Sequence, residues 1–228
     1  MQNRFDRRVF LAALIAAPSA FAQRPLLDGL TQGDASRGIR EALSLASLNA
    51  TTRLAQPDGF WGDAQVRIPL PGLLGQSQRT LAGFGMSGPL DDLQENLNHT
   101  AESVMPEAAG LFTNAVRSIT IADAIDIVRG GDDSATRYLR GRTETRLTSL
   151  LKPPMTRALT GSGAFTLLRS ALREVGLAGM TNDLRRDVID FSTEKALDGC
   201  FHYVAEEERA IRRDPWRRTT DILRRVFG

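Results

Sequence analysis

Apolar residues recur along most of the chain at intervals of three and four, the spacing that places them on one face of an α-helix. One stripe consists of Ile39, Leu43, Ala46, Ala50 and Leu54. A second consists of Leu90, Leu93, Leu97, Ala101 and Val104. The stripes predict two amphipathic helices, and Pro89 fits the first turn of the second. We expect Pro106 to end or kink that helix and another helix to run from Glu107 to Ile119.

Capping residues and helix breakers predict further boundaries. Thr120 and Asp123 have the spacing of a capping box that opens a short helix, and Gly130 stops it. The next helix is expected to begin at residues 132–134, to continue to Leu151 and to end at the proline pair that follows.

The C-terminal part shows the same periodicity. Ser192 or Thr193 is expected to open a helix whose apolar positions are Leu197, Phe201, Val204 and Ile211. Asp214 and Pro215 end it, and a last helix runs towards Phe227. Residues 66–71 are extended, but two prolines exclude them from the interior of a sheet. The pattern predicts an all-α fold: one domain over residues 23–228, a bundle of about seven to nine helices with one long Pro/Gly-rich loop at residues 56–74.

Residues 1–22 have the plan of a cleavable signal peptide: a basic segment, an apolar run and small residues before the cleavage point. An apolar run of about nine residues extends roughly 14 Å as a helix, far less than the ~30 Å hydrocarbon core of a membrane. The adjacent arginines resemble the twin-arginine export signal. The residues assigned to export are Arg7, Arg8, Phe10, Leu11, Ala20 and Ala22. The sequence therefore predicts a soluble periplasmic protein without a transmembrane anchor after cleavage.

Composition fits an ordinary globular domain, with 25% charged and 42% hydrophobic residues among 228. The single cysteine excludes an intramolecular disulfide. Without the leader, basic and acidic residues balance at 26 each, so no nucleic-acid partner is expected. The charge is unevenly placed: residues 23–135 carry 8 basic and 14 acidic residues, and residues 136–228 carry 18 and 12.

Two interpretations of this asymmetry are open. In the first, the acidic half packs against the basic half within one globule. In the second, the C-terminal arginines present a basic surface to an anionic lipid or another envelope component. These arginines are Arg209, Arg212, Arg213, Arg217, Arg218, Arg224 and Arg225.

Several blocks occur in a fixed order between Gly38 and the C-terminus. They are Gln56-Pro57-Asp58-Gly59-Phe60, Arg67-Ile68-Pro69-Leu70-Pro71, Asp91-Asp92-Leu93, Gly130-Gly131-Asp132-Asp133-Ser134-Ala135-Thr136, Lys195-Ala196-Leu197-Asp198-Gly199, Arg212-Arg213-Asp214-Pro215 and Arg218-Thr219-Thr220-Asp221-Ile222-Leu223. In order and chemical detail the chain resembles the bacterial domain-of-unknown-function 4197 family, although residues 152–190 depart from the family's pattern. The resemblance implies an exported, mostly helical protein of Gram-negative bacteria, and it brings no established activity or cofactor.

The family-like blocks also contain the strongest candidates for a site: Asp198, Glu207, Arg212, Asp214 and Arg218. Their carboxylates and guanidinium groups could form a buried polar network that holds the last helix, or the floor of a ligand pocket. Phe60 and Trp61 in the long loop could either dock onto the core or form an exposed binding surface.

The residues that could bind a metal are few. Glu95, His99 and Glu102 share one predicted helix face, and His202 and Glu206 share another. A metal site in a helical bundle normally takes comparable ligands from several facing helices, so surface pairing is the simpler interpretation and neither a metal nor a cofactor is expected.

Other chemical candidates also have structural interpretations. Cys200 lies on a predicted apolar helix face and is expected to be a buried structural cysteine. The run Glu206-Glu207-Glu208 is expected on a solvated helix face. The sequence predicts a non-catalytic periplasmic module that binds a ligand or the envelope. A metal-independent hydrolase using paired carboxylates and a self-associating structural protein are the alternatives.

Overall fold

A computed structural model describes residues 31–174, 176–214, 217 and 220–227. Eight helices and no strand lie within these residues. They are α1 (Gln32–Leu54), α2 (Gly72–Ala82), α3 (Gly88–Arg117), α4 (Ile121–Arg129), α5 (Ser134–Thr160), α6 (Gly163–Glu174), α7 (Met180–Arg213) and α8 (Asp221–Phe227). The predicted all-α domain of seven to nine helices is confirmed. The predicted leader, residues 1–22, lies outside the described residues.

The four long helices α1, α3, α5 and α7 form a four-helix bundle. Each packs against two of the others in the cyclic order α1, α3, α5, α7, and the diagonal pairs hardly touch. Successive long helices run in opposite directions, the up-down-up-down topology of an antiparallel bundle. The short helices α2 and α6 lie at the end of the bundle where α3 begins, and α4 and α8 lie at the end where α3 finishes.

Local capping signals explain two helix starts. The predicted capping box at Thr120 and Asp123 is confirmed, with reciprocal side-chain and backbone hydrogen bonds, and α4 ends before Gly130 as expected. A second capping box, formed by Thr31 and Asp34, opens α1. These contacts satisfy backbone N–H groups that have no partner inside the helix.

Prolines do not end helices where the sequence predicted they would. Pro106 lies inside α3, so the two helices predicted on either side of it are one. The predicted end of α5 at Pro153 was also wrong, because the helix continues to Thr160. Each proline removes an intrahelical hydrogen bond. Buried residues flank these prolines: Met105 in α3 and Met155 in α5 are packed in the core. This packing outweighs the lost hydrogen bonds.

Two further boundaries differ from the prediction. Helix α7 begins at Met180, well before the predicted start at Ser192, and α2 occupies the last part of the predicted long loop. Neither α2 nor α6 was predicted. Helix α6 follows α5 almost directly, and the Ser162 hydroxyl at its start accepts a hydrogen bond from the Phe165 N–H at 3.1 Å.

The loop at residues 55–71 completes the bundle where α1 stops. Helix α1 has 23 residues and α3 has 30, so α3 and α7 continue past the end of α1. Phe60, Val66 and Ile68 of the loop are buried in the space that α1 leaves. The loop thus takes the fourth corner of the bundle, which places its aromatic residues against α3 and α7.

Candidate functional site

A buried carboxylate, Glu208 of α7, joins three helices near the end of the bundle that carries α4. It accepts hydrogen bonds from the backbone N–H groups of Ala135 at 3.0 Å and Thr136 at 2.8 Å, and another from the Thr136 hydroxyl at 2.7 Å. Since Asp133, the residue before α5, makes no side-chain capping bond, Glu208 supplies the cap of α5 from another helix. Arg212 completes the network by donating to the Glu208 carboxylate at 3.0 Å.

The Arg212 guanidinium also reaches the end of α4. It donates to the Ile127 carbonyl at 3.1 Å and to the Ser134 hydroxyl at 2.9 Å. The cavity beside Glu208 and Arg212 measures about 10 Å³, room for about one water molecule. Arg212, one of the predicted site residues, thus belongs to a polar network that holds α4, α5 and α7 together.

The sequence interpretation of Glu208 was wrong: it is buried, whereas the run of three glutamates was expected on a solvated face. The position of Glu208 in the sequence does indicate burial. Glu208 lies four residues after Val204 and three before Ile211, so it occupies the apolar stripe of its helix. A carboxylate at such a position needs a partner, and Arg212 follows one turn later.

Among the residues that the structure describes, the other predicted site residues do not line the cavity beside Arg212. Asp198 lies between α5 and α7, where it pairs with Arg140 at 3.1 Å and Lys195 at 3.2 Å. Glu207 accepts a hydrogen bond from Asn49 of α1 at 3.0 Å. Asp214 is half-buried directly after α7, and Arg218 lies outside the described residues.

A second buried carboxylate, Glu102 of α3, fixes the loop that carries the predicted aromatic pair. Its Oε1 accepts hydrogen bonds from the backbone N–H groups of Phe60 at 2.9 Å and Trp61 at 3.0 Å. Phe60 is fully buried against α7 at Gly199, and Trp61 is partly exposed. Phe60 therefore docks on the core, which is the first of the two interpretations of this pair.

Asn98, one turn before Glu102, binds the same loop further along. Its side chain accepts from the Ile68 N–H at 2.8 Å and donates to the Ile68 carbonyl at 2.9 Å, as a neighbouring strand would. Sequence reasoning missed Asn98, and it named Glu102 only in a possible metal-binding face for which surface pairing was preferred, whereas Glu102 is buried. Asn98 and Glu102 directly follow Leu97 and Ala101 of the predicted stripe, so the buried face of α3 is wider than that stripe.

Asp63 anchors the loop to α7 through Tyr203. The Tyr203 hydroxyl donates to the Asp63 carboxylate, and Arg53 pairs with the same carboxylate at 3.0 Å while its guanidinium lies over the Tyr203 ring. Burial of Tyr203 and its hydrogen bond to Asp63 raise the pKa of the phenol to about 12. Burial alone would raise the pKa of Asp63, but hydrogen bonds from Tyr203, the Gln65 N–H and Arg53 outweigh it, and the pKa is lowered.

The predicted metal-face residues take part in ordinary pairing. His99 lies 3.2 Å from Asp58 and 4.0 Å from Glu102, and His202 lies 3.5 Å from Glu206. Within the part of the chain that the structure describes, no group of three or more His, Cys, Asp and Glu side chains is arranged to hold a metal ion. Cys200 is buried, as predicted, and burial raises the pKa of its thiol to about 12.

Several C-terminal arginines form ion pairs with acidic residues. Arg213 pairs with Asp132, and Arg225 lies 3.9 Å from Asp34, so both join the basic half of the chain to the acidic half. Arg217 lies 3.7 Å from Glu207. The pairs of Arg213 and Arg225 favour the interpretation in which the two halves pack against each other, whereas the pair of Arg217 lies within the basic half.

The opposite end of the bundle has a different surface. Eight large hydrophobic side chains are exposed among the described residues, and six of them lie in residues 72–86 and 163–180. The six are Leu73, Phe84, Met86, Leu167, Leu177 and Met180. We call the surface that they form the apolar end. Helices α2 and α6 both contribute to one buried cluster at this end, which includes Leu74 of α2 and Phe165 of α6.

Fold and surface together define an all-α, single-domain protein built on an antiparallel four-helix bundle. The sequence model of a protein family described as "Protein of unknown function (DUF4197)" matches residues 29–228, nearly the whole chain. The chain belongs to this family. Neither the curated proteins nor the solved structures yielded a match. None of the helices in the described residues has the length and apolar character needed to cross a membrane.

Proposed function

We propose that the protein is exported and acts as a non-catalytic module that attaches to the cell envelope through the apolar end. The observation that carries this proposal is the concentration of exposed large hydrophobic side chains in two short segments. Apolar patches of this kind, rimmed by polar residues, typically mark interaction surfaces. Exposed apolar residues that are scattered over a surface occur on any protein. Here six of the eight lie in the two segments, and the other two are Leu48 and Ile121.

The chemistry of the carboxyl groups favours binding over hydrolysis. The pKa values of Asp34, Asp91, Asp123 and Asp132 are lowered, mainly by hydrogen bonds from neighbouring residues. A hydrolase that uses paired carboxylates needs one with a raised pKa to act as the general acid. Each of these four carboxylates is engaged by neighbouring residues, and the buried Glu208 is occupied as a helix cap, so none of the five is free for such a pair.

Cell fractionation tests the proposal. The full chain, produced with its leader, should be recovered with the membranes of broken cells, while the double variant Phe84→Ser/Met86→Ser should shift to the soluble periplasmic fraction. Leu48→Ser is the matched control, because Leu48 is 57% exposed but lies on α1, outside the apolar end. A wild-type chain found wholly in the soluble fraction, or a control that shifts as the double variant does, would refute the proposal.

Export is tested separately through the leader. Replacement of Arg7 and Arg8 by lysine should trap the precursor in the cytoplasm if the twin-arginine route is used. N-terminal sequencing of the exported product should begin at Gln23. A product that retains residues 1–22 would contradict the predicted cleavage.

A further inference from the structure

The turn between α2 and α3 displays apolar side chains on a hydrogen-bonded backbone. Phe84 is 75% exposed and Met86 is 65% exposed. Between them Gly85 has a φ of 67°, the left-handed conformation that glycine adopts without strain. The Met86 N–H donates to the Leu81 carbonyl at 2.9 Å and the Gly85 N–H to the Ala82 carbonyl at 3.1 Å, the two bonds of a Schellman motif.

Helix α6 ends in the same way. Gly176 has a φ of 77°, the Leu177 N–H donates to the Leu172 carbonyl at 2.7 Å, and the Gly176 N–H donates to the Arg173 carbonyl at 3.2 Å. Leu177, like Met86, follows the left-handed glycine and is exposed. The apolar end is therefore built from two helix ends with one geometry, each of which presents a large apolar residue.

This geometry suits entry into an apolar phase. A turn in hydrocarbon is costly when its backbone N–H groups lack partners, because no water is present to bind them. In these two turns the N–H groups of Phe84, Gly85, Met86, Gly176 and Leu177 all donate to carbonyl groups of the same chain. Moving the turns into lipid would therefore take apolar side chains out of water, which is favourable. It would leave few backbone N–H donors without a partner.

The charges around the apolar end indicate what kind of surface it meets. The adjoining starts of α3 and α7 contain Asp91, Asp92, Asp183 and Asp187 together with Arg185 and Arg186; Asp91 accepts a hydrogen bond from Gln78, and Asp183 pairs with Arg186. The two segments that expose the six apolar residues contain Arg79, Arg169 and Arg173 and a single acid, Glu174. Among the described residues none of these three arginines forms an ion pair or a side-chain hydrogen bond, in contrast to Arg213 at the other end. Basic side chains beside exposed apolar ones are typical of elements that lie on anionic membranes.

We propose, on the basis of the proposed function, that the partner of the apolar end is the anionic phospholipid surface of a bacterial membrane. Phe84, Met86 and Leu177 enter the boundary between headgroups and acyl chains. The guanidinium groups of Arg169 and Arg173 contact lipid phosphates from the same side of the molecule. The protein then lies on the membrane without spanning it.

Vesicle flotation with the purified chain from residue 23 onward tests this proposal. The chain should float with vesicles that contain phosphatidylglycerol, bind at least about tenfold more weakly to vesicles of phosphatidylcholine alone, and lose binding as salt is raised. Phe84→Ser/Met86→Ser should weaken binding to the anionic vesicles by at least about tenfold. Circular dichroism of each variant should confirm that the bundle is intact.

Matched variants separate the apolar and the basic contributions. Arg169→Gln/Arg173→Gln should weaken binding and flatten its dependence on salt. Arg146→Gln, which changes an exposed arginine in the middle of α5, should bind as the wild-type chain does. Equal binding to both kinds of vesicle, or an equal loss from Arg146→Gln, would overturn the proposal.

Two outcomes would overturn the lipid assignment; the first would leave the proposed function standing, and the second would not. If the chain fails to float with anionic vesicles but still fractionates with membranes through Phe84 and Met86, the partner in the envelope is a protein. If vesicle binding is absent and the mass rises with concentration in a manner that Phe84→Ser abolishes, the apolar end joins copies of this chain. If membrane fractionation in cells is also lost, the proposed function fails as well.

Discussion

An alanine at Gly199 tests whether the loop is seated on α7 as the structure shows. A Cβ added there would lie 2.9 Å from Cε1 of Phe60 and 3.0 Å from Cβ of Val66, closer than such atoms normally approach. Both neighbours are buried, so they have little room to move. Helix α7 therefore needs a glycine at this position for the loop to reach it.

The magnitude follows from two opposing contributions. Replacing glycine by alanine inside a helix stabilises it by about 0.5–1 kcal/mol. Overpacking of a filled core typically costs about 1–3 kcal/mol. We expect Gly199→Ala to lower the free energy of unfolding by up to about 2 kcal/mol. Gly141→Ala is the control. Gly141 lies inside α5 with no atom within 4 Å of an added Cβ, so this substitution should only stabilise the helix.

The assay is equilibrium unfolding in urea, followed by far-ultraviolet circular dichroism. The dependence of free energy on urea should be the same for both variants, since a change in its slope would indicate a different unfolded or native state. Introducing Phe60→Leu removes the atom closest to the added Cβ, so Gly199→Ala should cost less in that background. Equal stabilisation by Gly199→Ala and Gly141→Ala would refute the docking of the loop on α7.

Three further predictions concern buried polar and ionisable groups. Glu208→Ala should lower the free energy of unfolding by about 3 kcal/mol or more, since it removes the carboxylate partner of Arg212 and leaves two buried backbone N–H donors unpaired. Glu206→Ala on the exposed face should change it by less than about 0.5 kcal/mol; equal effects would contradict the network. Because the pKa of Tyr203 is raised from 10.0 to about 12, its contribution to stability is complete below pH 10 and is lost as pH rises towards 12. Tyr203→Phe should remove this part of the alkaline loss in urea unfolding measured across that range, and an unchanged pH dependence would show that the Asp63 contact is not formed. Cys200 should react with a thiol reagent at neutral pH only as fast as the chain unfolds, since burial raises the pKa of its thiol to about 12; rapid labelling of the folded chain would contradict its burial.

Local signals were sufficient for elements whose ends depend on neighbouring residues. The capping box at Thr120 and the glycine stop at Gly130 are interactions within a few residues, so the sequence contained both ends of α4. Prolines misled the prediction because their effect depends on more than local geometry. Pro153 costs a hydrogen bond in any context, but whether the helix survives depends on how residues such as Leu151 and Met155 pack, which is a property of the whole bundle.

The polar contacts of the site were only partly visible in the sequence. Arg212 was identified as a candidate, but Glu208 was expected on a solvated helix face and was not among the predicted site residues. The capping of α5 by Glu208 could not be predicted, since it joins residues 73 positions apart. Likewise, the sequence contains no local signal that Glu102 binds the loop at Phe60. Such contacts are set by the packing of helices distant in sequence.

Helix α7 is long enough to keep the stabilising Glu208 network far from the apolar end, through which we propose that the protein binds the envelope. Its 34 residues extend for about 50 Å, with the apolar end near Met180 and the Glu208 network near the other end. Substitutions so far apart should act additively. Phe84→Ser/Met86→Ser should therefore alter membrane attachment with little change in the free energy of unfolding, because both side chains are exposed. Glu208→Ala should lower that free energy and leave the folded fraction attached. If Glu208→Ala also abolished attachment of the folded chain, the two ends would be coupled through α7, and the apolar end would not be an independent binding surface.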